Sequence, residues 1–178
     1  AAPSANVSSR VSPVTKNHVK EEFGKKIKYI IEGAHSKIGL ESTIINLTGK
    51  PEILRIGSID INKLSRALKK KLLYRKKTYM KVPGQNRLHY SPGIPLRMNC
   101  KEASIDEAFI LVKKRNNSNK NFFYLSKNKN LKEAARNLYS VLRIIKKKGY
   151  KKISVEKIEN KGIVLAINDR LQKSSTKK

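Results

Sequence analysis

Apolar residues recur in two different rhythms along the chain, and a proline-rich break separates them. After the break, Leu131, Ala134, Ala135, Leu138, Leu142 and Ile145 form a helical stripe ended by Gly149, and Ile163, Ile167 and Leu171 mark one face of a last helix. Glu107 to Val112, Phe122 to Leu125 and Ile153 to Ile158 read as strands. A strand-helix-strand-helix order with a helix-length connection predicts a small α/β layer with at least one parallel pair, crossing over right-handed.

Before the break the pattern is less regular. Ser12-Pro13 reads as the N-cap and first proline of a helix whose partial apolar face is Val14, Val19 and Phe23 and whose stop is Gly24. Ile27 to Ile31 reads as a buried strand ended by Gly33. Ser42 to Leu47 and Glu52 to Ile56 form two strand-like runs joined by Thr48-Gly49-Lys50-Pro51, a hairpin signal. A tight turn makes Leu47 face Glu52 and Ile44 face Arg55. Ser42, Ile44 and Arg55 then share one face, and Ile45, Leu47, Leu54 and Ile56 form the apolar one. Gly57 falls opposite Ser42, leaving room for a ligand beside a hydroxyl and a guanidinium, a pair suited to a carboxylate or phosphate. A surface arginine on an edge hairpin is the alternative. Ser58 is placed to cap a helix through Ile61, Leu64, Ala67 and Leu68, with Asp60 early and Lys69 to Lys71 late.

The break itself, Val82 to Leu96, holds three prolines and two glycines in fifteen residues. Arg87, His89 and Tyr90 lie between its Pro-Gly and Ser-Pro turns, which suits a docking segment; a solvated linker with His89 and Tyr90 packed on a neighbouring surface is the other reading. The implied division is residues 1–71, a connector over 72–98, and residues 99–178. At the start of the chain an extended backbone would put Ser4, Asn6 and Ser8 on one face, a row of uncharged hydrogen-bonding groups suited to a polar ligand. A capped turn leading into the helix is equally compatible.

Composition changes this picture little. The single Cys100 excludes an intramolecular disulfide, and no secretory core or long apolar run is present, so a cytoplasmic location without a membrane role is expected. A net charge of +28 points towards nucleic acid. Lys, Asn and Ile are nevertheless abundant everywhere, including plain loops, as an A/T-rich coding sequence would produce, so basic patches weigh little. Asp106, Glu107 and Asp169 are scattered and suit solvated or structural roles.

Four ordered motifs together resemble the L-threonylcarbamoyladenylate synthases in their two-domain form. Ala2-Pro3-Ser4-Ala5-Asn6-Val7-Ser8 with Ser12-Pro13, Glu41-Ser42-Thr43-Ile44-Ile45 with Leu54-Arg55-Ile56-Gly57, Pro83-Gly84 through His89-Tyr90-Ser91-Pro92, and Ala166 to Leu171 carry the likeness. Ser9 stands where the family usually has Gly, Val14 where Thr is usual, and Asn46 where Asp is usual. The family's nucleotide-binding lysine-arginine motif has no counterpart, so the resemblance implies the C-terminal portion of a longer enzyme, inactive by itself, with the edges and apolar faces of its first half left open. The fold implied is the C-terminal part of a YrdC-like twisted-sheet α/β domain over residues 1–71, a Pro/Gly connector acting as a lid, and a small Rossmann-like α/β domain over residues 99–178. The activity implied joins L-threonine, bicarbonate and ATP, with Mg2+ and no permanently bound cofactor, into threonylcarbamoyl-AMP and pyrophosphate for tRNA modification. By motif, Ser4, Asn6, Ser42, Arg55, His89 and Tyr90 would bind substrate and ATP. Downstream tRNA threonylcarbamoyl-transfer machinery would be the partner, and a basic RNA-binding module without catalysis is the competing function.

Overall fold

The computed structural model describes residues 4–74, 82–85 and 89–175; Ala2, Pro3 and Arg87 of the motifs above lie outside them. The second half is built on a four-stranded parallel sheet. Strand β4 (Leu96–Cys100) pairs with β7 (Ile153–Glu156), β7 with β5 (Ala108–Lys113), and β5 with β6 (Phe122–Ser126), giving the order β4-β7-β5-β6. Residues Ala108 to Val112 are buried without a break, as expected of a parallel strand covered on both faces. Helix α3 (Leu131–Lys147) starts where the Asn130 side chain accepts from the amides of Lys132 and Glu133, at 3.0 and 3.1 Å, and its apolar stripe packs on β5 and β6. Gly149 follows it at φ 82°, the left-handed conformation that closes a helix. Helix α4 (Val164–Ser174) lies against α3 and β4. Strand β4 was not predicted: it begins one residue after Pro95, inside the stretch assigned to the connector.

The first half contains helix α1 (Lys16–Phe23), helix α2 (Ile61–Ala67), and a sheet in which β1 (Ile44–Asn46) pairs antiparallel with β2 (Glu52–Arg55), and β2 parallel with β3 (Leu73–Tyr74). The hairpin is found, but its register slips by one residue. Ile44 faces Arg55 as predicted, whereas Ile45 faces Ile53 and Asn46 faces Glu52, so Leu54 is the extra residue of a bulge. Faces alternate with a period of two, so the bulge turns Ile53 inward alongside Leu54 and leaves Leu47 57% exposed.

Three further expectations are corrected. Ile27 to Ile31 is not a buried strand: a short turn at Gly24–Lys26 precedes it, Tyr29 and Ile31 are exposed, and no strand pairs with it among the described residues. Thr15, not Ser12, caps α1, accepting from the His18 amide at 3.3 Å, because the Ser12 hydroxyl is engaged by Glu41. Asp60, not Ser58, caps α2, accepting from the Asn62 and Lys63 amides at 2.8 and 3.2 Å.

The apolar face of the first sheet is not open. Ile53, Ile56 and Leu72 pack with Ala166 of α4, while Val11, Val14 and Tyr90 join the core beneath the second sheet. Among the described residues, Arg170 of α4 makes the most deeply buried charged join between the halves, beside exposed and part-buried links such as Arg143 to Glu22. Fully buried, it donates from Nε to Glu41 at 2.9 Å, from Nη2 to the Ile56 carbonyl at 2.9 Å, and from Nη1 to Asp169. Glu41 also accepts from Ser12 Oγ at 2.7 Å and from Tyr139 Oη at 2.9 Å.

Removing one partner of such a buried pair costs about 3–5 kcal/mol, because the other charge is stranded. Arg170→Met should therefore lower the urea midpoint far more than Arg115→Ala, whose guanidinium is near the surface. Burial alone would raise the Glu41 pKa, but Arg170, with the Ser12 hydroxyl, holds it below the ordinary value of 4.5. A depressed carboxylate stabilises the fold above that ordinary value and loses its contribution as pH falls through the folded-state value. Glu41→Gln should accordingly flatten the acid limb of a stability-pH curve; an unchanged limb would show that Glu41 contributes nothing there.

Candidate functional site

Arg55 stands at the end of β2, just past the bulge, and its side chain turns back over the hairpin. Nε donates to the Ser42 carbonyl at 2.9 Å, Nη2 to Ser42 Oγ at 3.1 Å, and Nη1 to the Pro83 carbonyl at 3.1 Å. Ser42 and Arg55 thus meet as predicted, and they also seize the connector. Gly57 does not open a space beside them. A Cβ there would collide with the Thr43 amide nitrogen and lie 2.6 Å from Ser42 C, so this glycine permits a close backbone approach, sealed by its own amide donating to Thr43 Oγ1 at 3.2 Å.

The connector docks on this end of the hairpin. Gln85 donates to the Leu54 carbonyl at 3.4 Å while its Oε1 accepts from the Val82 amide at 2.9 Å. Gly84, at φ 89°, is wedged between Arg55 and Tyr90: a Cβ would meet the Tyr90 hydroxyl and lie 3.3 Å from Arg55 Cδ. Beyond it the His89 amide donates to the Lys173 carbonyl at 2.9 Å, and the Tyr90 carbonyl accepts from Ser174 Oγ at 2.8 Å. The Tyr90 ring is 1% exposed, stacked on Tyr139 with centroids 5.7 Å apart, edged by His89 at 4.1 Å, and faced by the Arg170 guanidinium at 4.9 Å.

Two polar atoms in this cluster are buried without a partner among the described residues, His89 Nδ1 and Tyr90 Oη. Buried polar atoms are nearly always satisfied, so such orphans beside an arginine call for an explanation. Burial pushes the Tyr90 hydroxyl up to about 12, with Glu41 and Asp169 adding to it against Arg170 and Arg55, so it remains a donor at neutral pH. His89 is held below its ordinary value of 6.5 by burial, then by Lys173, Arg170 and Arg55, with Glu41 opposing. Above that value it is neutral, able to donate or accept.

Ser4 and Asn6 are not on an extended strand. The Asn6 amide donates to the Ser4 carbonyl at 3.0 Å, and Asn6 Nδ2 ties the turn by donating to the Val7 and Arg10 carbonyls at 2.9 and 3.2 Å. Ser4 is exposed, no hydrogen bond joins either residue to Arg55 among the described residues, and Asn6 Oδ1 is a further unpartnered buried atom. The turn nonetheless reaches the connector, because the Ser91 amide donates to the Ser9 carbonyl at 2.8 Å. Ser9 adopts φ 66°, the left-handed region that a glycine takes without strain, which accounts for the Gly of the resembled motif. Asn46 completes the hairpin turn, accepting from the Thr48 amide at 3.0 Å. Glu41, Tyr139 and Arg170, which frame Tyr90 from below, were not singled out from the sequence. Among the described residues no three His, Cys, Asp or Glu side chains group as a metal site would require.

The chain is similar to known proteins along nearly its whole length. Residues 54–176 match the family described as threonylcarbamoyl-AMP synthase, C-terminal domain, and residues 1–57 match one described as telomere recombination. The chain is 32% identical over 98% of its length to the threonylcarbamoyl-AMP synthase of Pyrococcus abyssi, and 30% identical over 99% to that of Schizosaccharomyces pombe. It covers 57% and 52% of those relatives, so it spans about half their length. The crystal structure of P. abyssi Sua5 complexed with L-threonine superposes with a TM-score of 0.81 at 29% identity, over 98% of this chain and 57% of that one. A variant of the same P. abyssi protein, with an adjacent histidine and tyrosine replaced by alanine, superposes with a TM-score of 0.77 at 28% identity over 97% of this chain and 56% of that one.

The unpartnered Tyr90 hydroxyl makes a sharp prediction about stability. Tyr90→Phe removes a polar atom that the fold leaves unsatisfied and should be neutral or stabilising, whereas Tyr90→Ala should cost about 3–5 kcal/mol through the cavity it leaves. Chemical unfolding of both variants checks this, and a large loss in Tyr90→Phe would show that the hydroxyl has a structural partner.

Proposed function

The chain belongs to the threonylcarbamoyl-AMP synthase C-terminal domain family, and from that membership we propose that its Arg55 cluster serves the formation of threonylcarbamoyl-AMP and pyrophosphate from L-threonine, bicarbonate and ATP. The observation that carries the reading is the guanidinium of Arg55, clamped by Ser42 and Pro83, beside the unpartnered His89 Nδ1 and Tyr90 Oη. The threonine amine captures CO2 or bicarbonate to give a carbamate. A carbamate oxygen then attacks the α-phosphorus in line, and pyrophosphate departs with the electron pair of the broken P–O bond. This chemistry needs positioning and charge stabilisation more than a protein nucleophile. Arg55 and Ser42 face the negative charge of a carboxylate or phosphate, Tyr90 Oη donates to it, and neutral His89 orients a polar group. Ser4 and Asn6 close the phosphate side in this reading. Magnesium in this reading arrives with ATP, as part of the substrate.

The described residues of the connector, Val82 to Gln85 with His89 and Tyr90, pack against Arg55 and α4 and in this reading act as a lid that keeps water from a labile adenylate. Residues 1–71 then belong to a YrdC-like catalytic domain and residues 99–178 to a Rossmann-like one. The product passes to the machinery that threonylcarbamoylates tRNA, in the cytoplasm; no helix among the described residues is long and apolar enough to cross a membrane. RNA binding through the basic surface is the weaker reading, because the charge is spread along the whole chain whereas the orphaned atoms are local to one cluster.

Threonine- and bicarbonate-dependent release of pyrophosphate from ATP, measured on the intact enzyme, is the direct assay. A charge-assisted contact is worth about 1.5–3 kcal/mol, so Arg55→Ala should lower turnover about tenfold to a hundredfold or more, while the exposed Lys151→Ala leaves it unchanged. Equal activities of the two variants would remove Arg55 from the site. Tyr90→Phe, stable as argued above, should let intermediate escape to water, seen as ATP consumed without transferable product.

A further inference from the structure

The parallel sheet of the second half ends in a crevice remote from Arg55. The chain leaving β5 turns through residues 114–121 into β6 on one side, whereas the chain leaving β7 runs to α4, which packs on β4 at the other side. Neighbouring parallel strands whose exits diverge leave an opening beyond their carboxyl ends, the place where open α/β sheets bind ligands. A cavity of about 950 Å³ is lined by the ends of β5 and β7 together with the start of β6 and the first residues of α3 and α4. That is the size of a small-molecule site.

Basic residues alone would single out nothing in a chain of this composition. The crevice is distinguished by how its groups are arranged. Its apolar lining is Val112, Phe122, Leu131, Ile158 and Val164, and the Phe122 ring is braced edge-on by Phe109 at 5.7 Å. Arg115 is held from two directions, by Glu156 at 3.1 Å and by the Phe109 ring, whose centroid is 5.6 Å from Cζ. Glu156 also accepts from the Val112 amide, so its charge fixes the strand ends and the guanidinium. Lys157 and Lys161, both exposed, carry positive charge along the opposite wall. A preset guanidinium, two exposed ammonium groups and a braced aromatic ring lining one open crevice match a phosphate chain attached to a planar base.

We infer that this crevice is a second ligand site, for a nucleoside di- or triphosphate, with the phosphates against Arg115, Lys157 and Lys161 and the base against Phe122. The site shares no residue with the Arg55 cluster, so it stands whether or not the synthase reading holds.

The test is a titration of ADP into the isotopically labelled 178-residue chain, followed by backbone amide NMR. Saturable shifts are expected at Lys113, Arg115 and Lys157. Lys157→Gln with Lys161→Gln, exposed positions that do not threaten folding, should weaken the midpoint at these amides about tenfold or more. Arg55→Ala should leave that midpoint unmoved, which separates this site from the proposed catalytic one. Three results would overturn the inference: no saturable shift in the crevice, a midpoint insensitive to the double substitution, or a midpoint shared with inorganic pyrophosphate, which would remove the base from recognition. Tighter binding of an oligoribonucleotide at the same amides, with a steep salt dependence, would assign the surface to RNA and overturn it equally.

Discussion

A charged guanidinium buried in the middle of the protein governs how the two halves meet. Arg170 has no access to water, so its N–H donors need protein acceptors, and those identified come from both sides of the join: Glu41 and the Ile56 carbonyl from the first half, Asp169 from its own helix. Burial by itself would favour the neutral form, yet Tyr139, Tyr90, Glu41 and Asp169 hold the group firmly charged. Such a network is weak evidence for net stability, since an apolar substitute of the same shape can do as well. Its value here is geometric. With the guanidinium in place, α4 can close over Ile53 and Ile56 in only one position, because any slide leaves a buried donor unpaired.

The candidate site inherits that position. Tyr90 lies on the Arg170 guanidinium and between His89 and Tyr139, and the hydroxyl at its far end reaches Gly84 and the neighbourhood of Arg55. The connector is therefore pinned at two places, by Arg55 holding the Pro83 carbonyl and by Lys173 and Ser174 holding His89 and Tyr90. A ligand that engages Arg55 competes for a guanidinium already shared with Ser42 and Pro83. In the proposed function such binding would loosen the hold of Arg55 on the connector.

Much of the second half was legible from the sequence. The stripe of α3 has the helical period over more than three turns, and the uninterrupted apolar run of β5 has the length and β-branched content of a buried strand. The first half was harder. The bulge at Leu54 changes which residues face inward, and no local signal in Glu52-Ile53-Leu54-Arg55 distinguishes it from a regular strand. Ile27 to Ile31 has the composition of a strand, but strand formation depends on a partner for its backbone, which residue type does not reveal. Strand β4 alternates as a strand should, yet stands directly after a proline. The Ser42-Arg55 pair was found because beyond the bulge the ladder returns to the predicted register, with Ile44 facing Arg55. Glu41 and Arg170 were missed, although the signal existed: Ile163, Ile167, Arg170, Leu171 and Ser174 fall at helical spacing on one face, so the arginine sits inside an apolar stripe. A charge in that place needs a buried counter-charge, and only the tertiary fold says that it is Glu41.

Native-state hydrogen exchange on the unaltered chain and on Arg170→Met measures the join directly. The account predicts that the amides of β2, from Ile53 to Arg55, are protected in the unaltered protein and lose protection in the variant, while those of Ile110 and Val155 keep theirs. Equal loss across both sheets, or a β2 indifferent to the substitution, would contradict it.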